Sequence, residues 1–290
     1  MFSYSSLTAI RVEYVKQAVG KLHNYSPHTS GSVCDVNKSD PNYILGEKVQ
    51  SEASYWLLYF EVVSAVLTLF SGMLLGSYSE RGGGRKTVLL VSVVGLALHV
   101  FCVLLVLILS LPIGYLFIAE IIRGVTGNTF TVMAMSFAFI ADISSEKNRT
   151  IRMIILEAML FVGGGVAQGA TGGWIQSAGF IPPMWLIYGA FIASLFYVLV
   201  WLEETVRKQE ISEWSISETC LDIVQLFSKA SRETSIQLVI YNVCLFALFL
   251  IIGSNMSLTT LYMLDAPFCF TPVYVGYYLA IMFSANAVGK

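Results

Sequence analysis

Long apolar blocks alternate along this chain with short connectors rich in glycine or charge. Seven blocks stand out, at about 55–78, 86–109, 113–141, 152–174, 183–202, 236–258 and 272–289. About 20 apolar residues suffice to cross the hydrocarbon core of a bilayer as a helix. Backbone groups in hydrocarbon must be satisfied internally, and the ten-residue alternation of a membrane β-barrel is missing, so the blocks read as helices. The third is longer than a span needs, which predicts tilt or projection into the cytosol. Residues 1–54 are mixed and polar, with turn-formers at Asn24-Tyr25-Ser26-Pro27 and Ser39-Asp40-Pro41. The pattern predicts an exoplasmic loop over 1–54, five membrane helices of a first bundle over 55–202, a cytoplasmic connector over 203–235 and two helices of a second bundle over 236–290.

Composition agrees with a lipid solvent. Of 290 residues, 56% are hydrophobic and 12% charged, where a soluble domain carries about 25% charged residues. The net charge of −2 says little about partners, and the lack of a basic stripe argues against a nucleic-acid partner. No metalloprotease, P-loop or serine-elbow pattern occurs. The expectations are therefore no enzyme, no cofactor and no metal. Lipid, a small solute and protons are the partners, with the oligomeric state left open.

Lysines and arginines set the sidedness. Arg81, Arg85 and Lys86, then Lys147, Arg149 and Arg152, then Arg207, Lys208, Lys229 and Arg232 occupy every second connector, and the alternate connectors carry none. The charged set reads as cytoplasmic. The sequons at Asn24 and Asn37 then face outward and are expected to be glycosylated. Only Cys34 and Cys269 fall on the outer side, where a disulfide persists; a bond between them and two free thiols are the two readings.

The first charged connector reads Gly76-Ser77-Tyr78-Ser79-Glu80-Arg81-Gly82-Gly83-Gly84-Arg85-Lys86. Glycines allow a tight reversal, and the acid and bases suit a charge lock at neighbouring helix ends; a plain positive-inside anchor is the alternative. The stretch resembles the loop motif of the major facilitator superfamily, with Glu80 in place of Asp and one extra residue among the glycines. Arg123-Gly124-Val125-Thr126-Gly127 is similar to that superfamily's Arg-x-x-x-Gly element. Gly163-Gly164-Gly165, Gly169 and Gly172-Gly173 resemble its glycine-rich fifth helix. Small residues at these spacings let helices approach and bend, which marks Gly127, Gly165, Gly169 and Gly173 as packing positions.

Ala141-Asp142-Ile143-Ser144-Ser145, Arg149-Thr150-Ile151-Arg152-Met153, Leu156-Glu157-Ala158, Pro267-Phe268-Cys269-Phe270 and Gly276-Tyr277-Tyr278 narrow the resemblance to solute carrier family 46. That resemblance implies an all-α bundle that carries organic solutes with protons, in the plasma or an endolysosomal membrane. It implies a Cys34–Cys269 disulfide and a proton-coupling role for Glu157. It also aligns the seven blocks with helices two to eight of a twelve-helix fold, so that a first helix is expected to be missing. Asn128 and Ile252 stand where the folate-transporting pattern has Asp and His, which favours a transporter more firmly than it favours folate.

Ionisable groups inside membrane helices are costly and face an interior or an aqueous path. Glu61, His99, Glu120, Arg123 and Glu157 are such groups. Glu120 and Arg123, spaced i, i+3, are expected to pair. Arg123, Glu120, Glu61 and Asn128 are the candidate cavity and substrate positions. Glu157 is the candidate proton carrier, against a structural role near the interface. His99 is expected to be a satisfied core residue. Glu80, Arg81, Arg85 and Lys86 form the candidate cytoplasmic gate, and Asp142 with Arg149 and Arg152 a second charge lock beside it. The function expected is proton-coupled symport of a small organic anion, folate among the candidates, by alternating access. The alternative is a truncated, non-transporting isoform that acts as a partner or scaffold.

Overall fold

The structure is a computed structural model that describes residues 2–25 and 41–205, with a few single residues between 235 and 285. Among the residues described up to 205, seven α-helices follow one another: α1 (Phe2–Leu22), α2 (Pro41–Tyr78), α3 (Arg85–Ile108), α4 (Leu116–Val125), α5 (Asn128–Ile143), α6 (Glu146–Ala178) and α7 (Ile181–Val200). Five stretches among the described residues are long and apolar enough to cross a membrane: Ile44–Tyr78, Arg85–Ile108, Ile113–Ile143, Glu146–Ile175 and Ile181–Val200. They correspond to the first five predicted spans, except that the first begins at Ile44 and α2 at Pro41, so that residues 41–54, read as part of a loop, are helix as well. The two later spans lie almost wholly outside the described residues.

The third span is broken, not merely tilted. Gly127 and Asn128 both take positive φ, 89° and 58°, and this turn divides α4 from α5. Glycine has no Cβ to oppose that conformation, and Asn is among the few residues that tolerate it.

Residues 2–22 correct the reading of 1–54 as a loop. They form α1, which at about 1.5 Å per residue is roughly 31 Å long. Leu7, Ile10, Val15 and Val19 are buried on one face and pack with Val49, Phe60 and Leu116 in the main core. The Thr171 hydroxyl donates to Ser6 Oγ at 2.7 Å, tying α1 to α6. Tyr14 meets Phe180 edge-on at 6.0 Å. A helix thus precedes the first apolar span and is built into the bundle. Its polar residues, and an arginine at its centre, hid it from a search for apolar runs.

The bundle is then six rods, counting α4 and α5 as one. α1 packs on α2, α6 and α7, α2 on α4, and α3 on α4, α5 and α7. Trp56, Phe60 and Phe117 form an aromatic cluster, with Phe60 and Phe117 4.7 Å apart. Beneath it, α2 and α4 touch almost backbone to backbone. A Cβ at Gly124 would stand 2.9 Å from the Ser64 carbonyl. That closeness brings the polar groups of the two helices within reach of each other.

Candidate functional site

Four charged side chains meet at mid-depth in the bundle. Arg11 of α1 donates to Glu120 of α4 at 2.6 Å through Nη1 and to Glu61 of α2 through Nη2. Arg123 lies 2.6 Å from Glu120 Oε2 and donates to Glu61 Oε2 at 3.2 Å. Its Nε donates to Ser64 Oγ at 3.0 Å. Two guanidinium groups and two carboxylates thus alternate in a ring of zero net charge. Arg11, Glu120 and Arg123 are 5%, 1% and 3% exposed, whereas Glu61 is 49% exposed. Glu61 lies midway along the span Ile44–Tyr78.

The expected Glu120–Arg123 pair is present. Two features of the site go beyond it. Arg123 is not a free cation turned toward a cavity, because both carboxylates and Ser64 engage it. Arg11 completes the ring from a segment read as a loop. The signal that could have found it is the recurrence of Leu7, Ile10, Val15 and Val19 about every four residues around it. Asn128 is also corrected: it is buried at the break between α4 and α5, where its Oδ1 accepts the Thr129 N–H at 2.6 Å. It shapes the turn. His99 is fully buried, its Nδ1 2.9 Å from the Ala119 carbonyl, while its Nε2 has no hydrogen-bond partner among the described residues, so it is a core residue but only half satisfied.

Glu157 is half-buried on α6. Leu156 and Leu160, beside it on the helix, line a small cavity of about 70 Å³ against Thr129, Val132 and Ser136 of α5. Of the packing glycines, Gly127 is required by its backbone, Gly165 is buried and Gly169 half-buried. Gly173 is exposed, and no described atom stands within 4 Å of a Cβ placed there, so it is not a point of close packing.

A second cluster closes one end of the bundle. Arg85 Nη1 donates to Glu80 at 2.9 Å and its Nε to Asp142 at 2.5 Å. The extra residue among the glycines is absorbed by a widened π-type turn at Ser79–Gly83, the usual way an α-helix accommodates one insertion. Gly84, at φ 89°, then reverses the chain into α3. Asp142 therefore joins the first lock through Arg85, and the separate lock with Arg149 and Arg152 is not formed. Arg152 instead approaches the Ile143 carbonyl at 3.4 Å, and Arg149 is exposed. Lys86 Nζ donates to the Leu199 carbonyl at 3.0 Å, a cation at the C-terminal end of α7. Glu204 was not foreseen. It accepts the backbone N–H groups of Arg85 and Lys86 at 2.9 and 3.1 Å, a carboxylate seated on the N-terminus of α3. The Arg81 side chain, Cys34, Cys269, Asn37 and Ile252 lie outside the described residues. Asn24 is exposed in the turn that ends α1.

A bundle of membrane helices with a charge lock at the turn between α2 and α3 narrows the fold, and a family comparison decides it. Residues 43–290 match the model of the Major Facilitator Superfamily. The chain belongs to that superfamily. It is 29% identical over 269 residues to the proton-coupled folate transporter of Rattus norvegicus, covering 92% of this chain and 58% of that protein. With the bovine protein of the same name, from Bos taurus, it is 30% identical over 245 residues, 84% of this chain and 52% of the other. A third relative is the lysosomal proton-coupled steroid conjugate and bile acid symporter SLC46A3 of Gallus gallus, 28% identical over 257 residues, 86% of this chain and 55% of that protein. The resemblance to solute carrier family 46 is borne out by these names, and the chain spans little more than half the length of the relatives it matches. Major facilitator proteins are built from two six-helix halves, each of paired three-helix repeats. The protein is an integral, multi-pass membrane protein of a transporter family.

Proposed function

We propose that this protein moves a small organic anion across a membrane together with protons, by alternating access. The observation that carries this reading is the ring of Arg11, Glu61, Glu120 and Arg123 at mid-depth in a major facilitator bundle. Secondary transporters bind substrate and coupling ions near the bilayer midplane, and charges buried there mark such paths. The printed names of the relatives, a folate transporter and a steroid conjugate and bile acid symporter, both proton-coupled, support the same class. They favour transport over a non-transporting scaffold and over an enzyme. The plasma membrane and an endolysosomal membrane both supply the pH gradient required.

In this reading Glu157 carries a proton along α6, and the lock of Glu80, Arg81, Arg85, Lys86, Asp142 and Glu204 holds the cytoplasmic end closed. Cys34 and Cys269 join, and Asn24 and Asn37 carry glycans, on the opposite side. The test is uptake of labelled folate and of a steroid sulfate at pH 5.5 and 7.4, in cells expressing the chain or its longest transcript, with Glu157→Gln alongside. Acid-stimulated uptake of either probe is expected, and its pH dependence should collapse in Glu157→Gln. Surface expression without uptake of either probe would count against the reading, and unaltered pH dependence in the variant would remove Glu157 from it.

A further inference from the structure

From the unequal exposure of the four charged groups we infer that Arg11 and Arg123 form an oxyanion site that Glu61 occupies as an internal competitor, and that protonation of Glu61 vacates it. This rests on the proposed transport reading and deepens it by naming where the anion sits and why a proton helps it bind.

Three of the four groups are sealed in the bundle, and Glu61 alone is half open. An ionised carboxylate half exposed at the middle of a membrane span is not held against lipid, whose cost for such a group is several kcal/mol. Its open side therefore faces water or protein. Glu120, gripped by both arginines at 2.6 Å, has no such access. Of the four, Glu61 alone has an open side, so in this inference it is the member that solvent protons reach and the one an incoming anion displaces.

The charge count gives the direction. With Glu61 ionised the ring is neutral and offers an anion nothing. With Glu61 protonated the ring carries one positive charge, its two guanidiniums share only Glu120, and N–H groups are freed on the open side. Arg11 Nε already lacks a hydrogen-bond partner among the described residues. A carboxylate or sulfate matches the fork of a guanidinium. The proton and the anion then favour each other's binding reciprocally. The other ionisable groups around Glu61 do not compete for this role. Tyr4 of α1 and His99 of α3 lie within electrostatic range of the ring, but His99 is fully buried. Asp142, the one ionisable group of α5, is engaged with Arg85 at the end of the bundle.

The test uses the purified chain in lipid nanodiscs, titrated with dehydroepiandrosterone sulfate and with benzoate at pH 7.5 and 5.5. Tryptophan fluorescence is the readout, since Trp56 packs on Phe60 beside the ring. Wild type should bind at least one probe about tenfold tighter at pH 5.5, within the usual range of coupling between sites. Glu61→Gln should bind at pH 7.5 as wild type does at 5.5, with its pH dependence gone. The probe preferred, sulfate or carboxylate, identifies the headgroup. If Glu61→Gln binds neither probe, or keeps the wild-type pH dependence, the inference is overturned. Glu61→Asp guards against misfolding of the amide variant. The protonated-carboxyl infrared band that rises between pH 7.5 and 5.5 should move in this variant, and an unmoved band also overturns the inference. Acid-stimulated uptake that persists unchanged in Glu61→Gln cells would leave the transport reading standing and remove this site from it.

Discussion

Glu120 has no route to water, and both of its oxygens face arginines. Removing one partner of a buried ion pair costs about 3–5 kcal/mol, because the charge left behind stays desolvated. Glu120→Ala leaves two buried guanidiniums to share Glu61 alone and should lower stability by about that amount, read as a fall in the thermal midpoint in detergent. The double variant Arg11→Met/Glu120→Leu should recover most of the loss, since apolar replacement of a whole buried pair is often neutral. Failure of the double variant to recover would mean that the ring holds the helices in register and does more than cancel its own charges. In the sequence Glu120 and Arg123 were legible as a pair from their i, i+3 spacing alone. Arg11 was not, because its partners lie 109 and 50 residues away and no local pattern encodes such a meeting.

At the scale of elements, glycines of similar sequence surroundings take opposite roles. Gly124 sits where α2 and α4 cross, and a Cβ there would stand 2.7 Å from Leu67 Cβ and 2.9 Å from the Ser64 carbonyl. Neither atom can swing away, so Gly124→Ala must part the helices and disturb Ser64, a ligand of Arg123. Gly173 has open space around it, and alanine there should gain up to about 1 kcal/mol from helix propensity. Paired thermal melts check this: a fall for Gly124→Ala and no fall for Gly173→Ala. A fall for both would show that α6 is packed at Gly173 by parts of the chain outside the described residues. Glycine content marked both helices in the sequence, but content does not say which glycine meets a neighbour. The turn at Gly127-Asn128 was missed for a related reason. An apolar block reads as continuous through two residues whose backbone, not whose hydropathy, ends the helix.

For the whole molecule, the charged end works as a clasp that gathers α2, α3, α5 and the chain after α7. Glu204 is its least expected part, seated on the first amides of α3. A carboxylate at a helix N-terminus contributes about 0.3–1 kcal/mol. Glu204→Ala should therefore raise hydrogen exchange at Arg85 and Lys86 by up to about fivefold, with exchange at mid-α3 unchanged. Equal protection in the variant would show that Glu204 merely rests there. The first five spans, the charged end and the superfamily were legible because each is written in consecutive residues. The ring, the clasp through Glu204 and the broken third span depend on residues brought together only by the fold.

The position of Arg11 also has a meaning in time. It is synthesised 109 residues before Glu120, which at about 5–20 residues per second is a wait of roughly 5–20 s. Placing an unpaired arginine at the centre of a membrane helix costs about 2.5–3.5 kcal/mol. Through that interval α1 has no neutralising partner on α4. The charge on α1 thus waits on a helix made later, and the order in which this ring closes is set by its last-made member, not its first.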